Sequence, residues 1–239
     1  MTASPRPLAL ITGASQGIGA AVARVLAPRY DLILGGRDEE RLSAVADELT
    51  TAGPAGVRTL AVELTDDDAL AGALAGLDRL DALVHSAGTG ELGTVEETPA
   101  AVWRRQFDVN VVAVAEATRL LLPALRAAGS AGGADIVLIN SGAGITAKPG
   151  WGSYAASKFA LRAFGDALRA EEAANGIRVT SVHPGRVDTA MQRAVVAHEG
   201  GEYDGSRFLR PESVAAVVLA ALTASRDAHL TELVVRPQG

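Results

Sequence analysis

The feature that most constrains the fold is a regular alternation of short apolar runs with longer amphipathic stretches. Continuous apolar runs of this length are typical of parallel strands that are buried on both faces of a sheet. The alternation therefore predicts an α/β chain with a doubly wound parallel sheet. Strands are predicted at residues 8–12, 31–35, 57–62, 81–85, 135–140, 177–182 and 232–235. Helices are predicted at 17–27, 38–50, 66–75, 99–128, 153–174 and 211–224, the fourth of them bent around 105–110.

A glycine-rich turn joins the first predicted strand to the first predicted helix, with the sequence Thr12-Gly-Ala-Ser-Gln-Gly-Ile-Gly19. Side chains here would keep backbone amides away from a pyrophosphate, and the positive end of the following helix favours such an anion. The spacing differs from the general G-x-G-x-x-G dinucleotide fingerprint. The turn thus predicts a dinucleotide site, with a tight strand-to-helix connection that binds nothing as the structural alternative.

A second motif places a tyrosine and a lysine four residues apart, Tyr154 and Lys158, on one face of a predicted helix. A nearby ammonium favours phenolate, so we expect the pKa of the tyrosine to fall below its usual value of about 10. Such a tyrosine can exchange a proton near neutral pH. Ser141, thirteen residues upstream, is positioned to donate a hydrogen bond to a substrate oxygen. Singly, each residue has a structural explanation: a core tyrosine and a turn serine.

The chain resembles the short-chain dehydrogenase/reductase family along essentially its whole length. The resemblance rests on the glycine turn, Ser86-Ala-Gly88, Asn110, Ser141, Tyr154-x-x-x-Lys158 and Pro184-Gly185, which occur in the family's order and spacing. It implies a Rossmann fold with strand order 3-2-1-4-5-6-7 and an NAD(P)-dependent oxidoreductase. It further implies that Tyr154 is the general acid/base, that Lys158 grips the nicotinamide ribose, and that Asn110 supports a water leading from the lysine to solvent.

The resemblance also implies which residues contact the dinucleotide. Glu63 stands where the family usually has aspartate, and His85 stands where it commonly has asparagine; we interpret His85 as a hydrogen-bonded structural residue. The implied cofactor contacts are Gly13, Ser15, Gln16, Gly17, Ile18, Gly19, Arg37, Glu63, Leu64, Ser86, Ala87, Gly88, Tyr154, Lys158, Pro184, Gly185, Val187 and Thr189.

Arg37, just after the second predicted strand, bears on the choice of dinucleotide. Enzymes that prefer NAD usually carry an acid near this point, which binds the ribose 2′-hydroxyl and repels a 2′-phosphate. A guanidinium can instead fork onto that phosphate. The sequence therefore predicts NADP(H) over NAD(H). The alternatives are that Arg37 is only a solvated charge, or that Asp38 and Glu39 do more than begin the next helix.

The substrate is expected to bind between two loops, about residues 142–152 and 186–208, with Ile145, Trp151 and Met191 as lining residues. These segments do not identify the compound beyond a small or medium carbonyl or alcohol. The glycine-rich stretch 200–205 falls where a lid could lie. We found no linker-like tract and therefore expect one domain, residues 1–239.

Charge and composition exclude several other classes of function. The net charge of −6 argues against general affinity for nucleic acid or anionic membranes. The chain has no cysteine, and its four histidines are not at metal-ligand spacing, so no metal site is expected. No apolar stretch approaches the ~20 residues that span a bilayer. Residues 1–7 carry no secretory signal, which predicts a cytoplasmic protein.

Two functions from different classes remain open. The first is an NADP(H)-dependent carbonyl reductase or alcohol dehydrogenase, and the alternative is a regulatory protein that binds the dinucleotide without turnover. Dehydration or epimerisation with the same cofactor is a third possibility. The ending 231–237 lacks the glycine-rich tail of many tetrameric relatives, so a homodimer is expected, with a homotetramer as the alternative.

Overall fold

The computed structural model describes residues 6–53 and 55–238, in which seven strands form one parallel sheet. Their order is β3-β2-β1-β4-β5-β6-β7, and each neighbouring pair runs parallel. This confirms the predicted fold class and strand order. The strands are β1 (Leu8–Thr12), β2 (Asp31–Gly36), β3 (Val57–Ala61), β4 (Ala82–His85), β5 (Ala134–Ile139), β6 (Ile177–Pro184) and β7 (Glu232–Val235).

Eight α-helices within the described residues cover the two faces of the sheet. Alternate strand residues face opposite sides, so Ile11 joins the core beneath α1 and α8, whereas Leu10 joins the core beneath α5. Both cores are needed because a parallel sheet is apolar on each face. The helices are α1 (Gly17–Leu26), α2 (Glu39–Ala52), α3 (Asp67–Leu74), α4 (Ala100–Phe107), α5 (Ala113–Ser130), α6 (Gly152–Glu172), α7 (Ala190–His198) and α8 (Pro211–Thr223).

The bend predicted around residues 105–110 is a π-helical turn, Asp108–Val112, between α4 and α5. The wider turn inserts an extra residue into the helical repeat, and such turns are frequent at functional sites. Here Asn110 lies inside the molecule with no exposed surface. The expectation of an interrupted helix is confirmed.

Two helix ends carry residue types that are typical of such positions. Asp38 caps α2, its side chain accepting a hydrogen bond from the Arg41 amide at 3.0 Å. At the other end of the chain, a short 3₁₀ turn (Ala173–Asn175) follows α6 and stops at Gly176, whose φ of 71° is left-handed.

The segment 186–208 differs from the loop that we expected, because α7 lies within it. Thr189 caps this helix: its hydroxyl accepts a hydrogen bond from the Gln192 amide at 3.2 Å. The apolar spacing in residues 190–198 is short and weak, which is why the sequence did not indicate a helix. The middle of the segment is therefore helical, and residues before it and in its first two turns line the larger cavity of the site.

The absence of a secretory signal was argued from residues 1–7, of which the first five lie outside the described residues. No helix within 6–53 and 55–238 has both the length and the hydropathy to cross a bilayer. In the same residues, no three His, Asp or Glu side chains converge as metal ligands.

Candidate active site

Two adjoining cavities lie at the carboxyl ends of the strands, beside β1. The neighbours of β1 are β2 on one side and β4 on the other, so the strand order reverses here. Ligands of open α/β sheets bind at such a reversal of strand order. One cavity measures about 330 Å³ and the other about 500 Å³. They share Ile18, Thr189 and Met191, so together they form one continuous cleft.

The glycine turn forms the floor of the smaller cavity and has the shape that a pyrophosphate requires. Gly13 and Gly17 have left-handed φ values of 67° and 56°. A Cβ on Gly19 would lie 2.2 Å from the Gly13 carbonyl oxygen, so a side chain cannot be accommodated. No side chain caps the start of α1 and no acid lies in its first turn, which leaves its amides to an anion.

Most of the predicted cofactor residues line the smaller cavity, and the set fits a dinucleotide. They are Gly13, Ser15, Gln16, Gly17, Ile18, Gly19, Arg37, Glu63, Leu64, Ser86, Ala87, Gly88 and Thr189. Tyr154, Pro184, Gly185 and Val187 line the larger cavity instead. Lys158 lies behind the wall, since a Cβ on Gly88 would be 3.7 Å from its Nζ. The further lining residues Gly36, Thr89, Arg105, Val109 and Ala190 were not predicted, whereas Met191 was predicted to line the substrate site.

Arg37 reaches the cavity as predicted, but its guanidinium is paired. Its Nη1 lies 3.3 Å from Glu63 Oε2, and 78% of the arginine side chain is exposed. A second cation lies close by. Arg41 Nη1 donates a hydrogen bond at 3.3 Å to Oε1 of Gln16, which lines the same cavity. Arg37 therefore pairs with the Glu63 carboxylate and also borders the cavity. A phosphate bound in this cavity would compete with Glu63 for the Arg37 guanidinium.

Tyr154 and Lys158 lie on the first two turns of α6, and both are buried. The phenol ring is 8% exposed and the lysine 4%. Lys158 Nζ donates to the Ile139 carbonyl at 3.1 Å and lies 6.0 Å from the centre of the Tyr154 ring. The helix thus presents Tyr154 to the larger cavity and places Lys158 behind Gly88 of the smaller one.

The electrostatics of this pair differ from the sequence prediction. Burial raises the pKa of Tyr154, and hydrogen bonding with the Ser141 hydroxyl opposes that rise. Burial also lowers the pKa of Lys158 to about 8. The predicted fall in the tyrosine pKa was wrong for the protein alone, because the loss of water around the buried phenol is the largest influence on its pKa.

Ser141 lies at the end of β5 and is held from three sides. Its amide donates to Asn140 Oδ1 at 2.8 Å, while the same asparagine donates from Nδ2 to the Lys158 carbonyl at 3.1 Å. His183 Nδ1 lies 3.1 Å from the Ser141 carbonyl oxygen. The Ser141 hydroxyl accepts from the Ala143 amide at 3.1 Å. Asn140 was not predicted, and it fastens the serine to the helix that carries Tyr154.

Asn110 clamps the loop after β4 from within the π-helical turn. Its Oδ1 accepts from the Thr89 amide and its Nδ2 donates to the Thr89 carbonyl, both at 2.9 Å. Nδ2 also donates to Ser157 Oγ at 3.0 Å. One helical turn earlier, buried Gln106 donates to Ser153 Oγ at 2.7 Å. Neither Gln106 nor the two serines were predicted, since polar residues on an alanine-rich helix usually indicate an exposed face.

His85 is an isolated structural group. Its Nε2 lies 2.9 Å from the Thr118 hydroxyl, and burial lowers the pKa of the imidazole to about 3. The ring is therefore neutral at physiological pH, in keeping with the interpretation from the sequence.

The larger cavity has an apolar wall and a cationic rim. Trp151 and Met191 line it as predicted, but Ile145 does not. Ile145 follows the short 3₁₀ turn Gly142–Gly144, which carries it away from the cleft. Ser141 and Tyr154 are also among the lining residues. The sequence did not predict the cations in the lining: Lys148, Arg186 and Arg236.

Known proteins are similar to this chain in fold and in sequence. Residues 7–200 match the family model described as short chain dehydrogenase. Glycine betaine reductase ATRR of Emericella nidulans is 34% identical over 240 residues, covering 97% of this chain but only 19% of that protein, so the chain spans about a fifth of its length. An uncharacterized oxidoreductase of Staphylococcus epidermidis is 30% identical over 231 residues, 96% of each chain.

A solved structure with the same fold has a dinucleotide derivative bound. It is an alcohol dehydrogenase from the archaeon Thermococcus sibiricus complexed with 5-hydroxy-NADP. The TM-score is 0.87 at 26% sequence identity, and the match covers 98% of this chain and 97% of that one.

Proposed function

The chain belongs to the short-chain dehydrogenase/reductase family of NAD(P)-dependent oxidoreductases, and on this premise we propose that it interconverts a carbonyl and an alcohol with NADP(H), using Tyr154 as general acid/base. The observation that carries the proposal is that Tyr154 and Ser141 both line the larger cavity, which adjoins the cavity lined by the predicted dinucleotide residues. Lys158 lies behind Gly88, one of those dinucleotide residues.

Each side chain has a defined task in this proposal. The bound nicotinamide would supply or accept the hydride. Tyr154 gives a proton to the substrate oxygen during reduction and accepts one during oxidation. Ser141 holds the same oxygen by a hydrogen bond. Lys158, whose Nζ lies beside Gly88, would contact the nicotinamide ribose, and Asn110 holds the loop that includes Gly88.

Replacement of the phenol tests the proton transfer. We expect Tyr154→Phe to lower kcat for carbonyl reduction by about 10²-fold or more, with the Kd for NADPH nearly unchanged. Absorbance at 340 nm follows turnover, and fluorescence titration follows binding. Tyr30→Phe is the matched control, since Tyr30 lies outside both cavities. Undiminished turnover in Tyr154→Phe would remove the general acid assignment.

The same assay distinguishes the regulatory alternative. A wild-type protein that binds NADPH but oxidises it with no member of a broad carbonyl panel would be a dinucleotide sensor. Substrate conversion without net NADPH oxidation would instead indicate dehydration or epimerisation.

The preference for NADP(H) is supported by Arg37 at the cavity and by the bound 5-hydroxy-NADP of the related alcohol dehydrogenase. We expect Arg37→Ala to raise KM for NADPH at least tenfold more than KM for NADH, because only NADPH carries the 2′-phosphate. We expect Glu63→Gln to do the reverse and lower KM for NADPH, because it frees Arg37 and removes a repelling carboxylate. Equal changes with both cofactors in either variant would contradict the assignment.

We also propose that the protein is a homodimer. Its basis is an apolar surface on neighbouring elements: Phe159 on α6 is 42% exposed, and Val112 in the π-helical turn is 53% exposed. The two elements are joined through Asn110 and Ser157. A homotetramer is the alternative assembly.

A further inference from the structure

The lining of the substrate cavity has an unbalanced charge. Among its described lining residues are Lys148, Arg186 and Arg236, and no aspartate or glutamate. This is unexpected in a chain with a net charge of −6. From this arrangement we infer that the substrate carries a carboxylate or phosphate besides its reacting carbonyl, and that Arg236 binds this anion. The inference rests on the proposed function, since it specifies the substrate of that same site.

Arg236 follows directly after β7 and is anchored through one of its nitrogens. Nη1 donates to the His183 carbonyl at 2.8 Å and to the Val235 carbonyl at 3.2 Å. Within the described part of the chain, Nη2 and Nε donate to no acceptor and the guanidinium pairs with no carboxylate. A fixed guanidinium with one edge left over is suited to bidentate binding of a carboxylate or phosphate.

The position of the guanidinium relates it to the reacting centre. It packs on Gly142, where a Cβ would lie 3.1 Å from Arg236 Nη2 and 3.3 Å from Cζ. Gly142 is the residue after Ser141, which holds the substrate oxygen in the proposed function. Any other residue at 142 would press on the guanidinium. An anion at Arg236 and a carbonyl at Ser141 can therefore belong to one small molecule within a cavity of about 500 Å³.

The other two cations play lesser parts. Arg186 is already neutralised, because it pairs with Glu199 and its guanidinium carbon lies 5.3 Å from the centre of the Phe208 ring. Lys148 lies on the exposed rim and pairs with no acid among the residues described. Its flexible ammonium adds attraction without fixed geometry.

Two pairs of probes test the inference. Both members of a pair have the same kind of carbonyl, and only one of them carries the anion. The carboxylate pair is 4-formylbenzoate and its methyl ester, and the phosphate pair is glyceraldehyde 3-phosphate and glyceraldehyde. In the presence of NADP⁺, calorimetry measures Kd for each probe, and with NADPH the absorbance at 340 nm measures kcat/KM. The pair with the larger ratio identifies the anion.

We expect the wild-type protein to bind the anionic member of at least one pair tenfold more tightly than the neutral member. Arg236→Gln should reduce that ratio to near one, Arg236→Lys should leave an intermediate ratio, and Lys148→Gln should change it less than Arg236→Gln does. Arg58→Gln, an exposed arginine outside the cleft, should leave the ratio at the wild-type value.

Failure of the inference and failure of the proposed function give different results. Equal binding of charged and neutral members in both pairs, or a ratio that Arg236→Gln does not change, would overturn the anion site. Binding that depends on Arg236 but is followed by no oxidation of NADPH would support the anion site and overturn the proposed oxidoreductase activity instead.

Discussion

Lys158, which we propose contacts the ribose, illustrates how a charged side chain is buried at a cost to the fold. The residue is 4% exposed, and its ammonium donates one hydrogen bond within the described residues, to the Ile139 carbonyl. An ammonium in such surroundings loses more hydration than it regains, which is why burial lowers the pKa of this lysine to about 8. The site therefore retains a group that the folded protein, without cofactor, holds less favourably in its charged form.

The cost of burying Lys158 predicts a pH-dependent difference in stability. Below about pH 8 the lysine is charged both folded and unfolded, and burial costs on the order of 3 kcal/mol. Between about pH 8 and 10.5 it is neutral only when folded, so the wild type gains stability as pH rises. The free energies of unfolding of Lys158→Met and the wild type are measured in urea without cofactor. The value for Lys158→Met minus the value for the wild type should therefore decrease as the pH rises from about 8 to 10.5.

The control for this experiment is Lys148→Met, because Lys148 is exposed and its ammonium is hydrated in both states. Its difference from the wild type should stay constant over the same pH range. A constant difference for Lys158→Met as well would mean that the buried lysine is not the titrating group.

The site residues that could be predicted from the sequence belong to short contiguous motifs. The site residues that were not predicted are distant in sequence and lie in the site only because the chain folds. Tyr154 and Lys158 share a helix face, so their spacing alone predicts their proximity. Arg236 meets Gly142 only because β7 completes the sheet beside β6. The fall predicted for the tyrosine pKa was wrong because spacing gives a distance but not the loss of water around the phenol.

At the scale of elements, close helix packing depends on residues without side chains. Gly129 lies near the end of α5, where the chain after α6 passes over it. A Cβ there would lie 2.2 Å from the Asn175 carbonyl oxygen, and backbone on both sides would have to move. Gly72 in α3 offers a contrast, since nothing lies within 4 Å of its Cβ position.

These two glycines predict opposite effects of one substitution. Gly129→Ala should lower the free energy of unfolding by about 1–3 kcal/mol, because the methyl group forces the two segments apart. Gly72→Ala should raise it by about 0.5–1 kcal/mol, because alanine favours the helix and restricts the unfolded chain. Urea unfolding measures both. A Gly129→Ala protein as stable as Gly72→Ala would contradict the close packing of α5 on residue 175.

Strands and helices with a strong apolar pattern could be predicted from the sequence. A helix that depends on contacts with the rest of the protein, α7, could not. The strands follow from apolar runs, and the bend at 105–110 agrees with Asn110, which matches a helix-distorting asparagine of the family that the chain resembles. In contrast, α7 is short, and Thr189 caps it beside Val187, whose burial depends on the sheet. Its helical state depends on tertiary contacts as much as on local preference.

At the scale of the whole molecule, two apolar surfaces are available for assembly. The first includes Phe159 and Val112, on α6 and the π-helical turn, and the second includes Val234, 55% exposed on the edge strand β7. Sheet edges and apolar helix faces are both common sites of self-association. A closed two-fold dimer needs only one of them, whereas a tetramer requires a second interface.

The proposed homodimer predicts that a charge on the helix face separates the subunits. Phe159→Asp buries an unpaired carboxylate in the interface, so light scattering after size exclusion should give the mass of one chain where the wild type gives two. Val234→Asp is the matched change on the sheet edge and should leave a dimer intact. A wild type of four chains that Val234→Asp reduces to two would favour the tetramer. A Phe159→Asp protein with the wild-type mass would exclude this helix face as the interface, because a carboxylate cannot be held there without a partner.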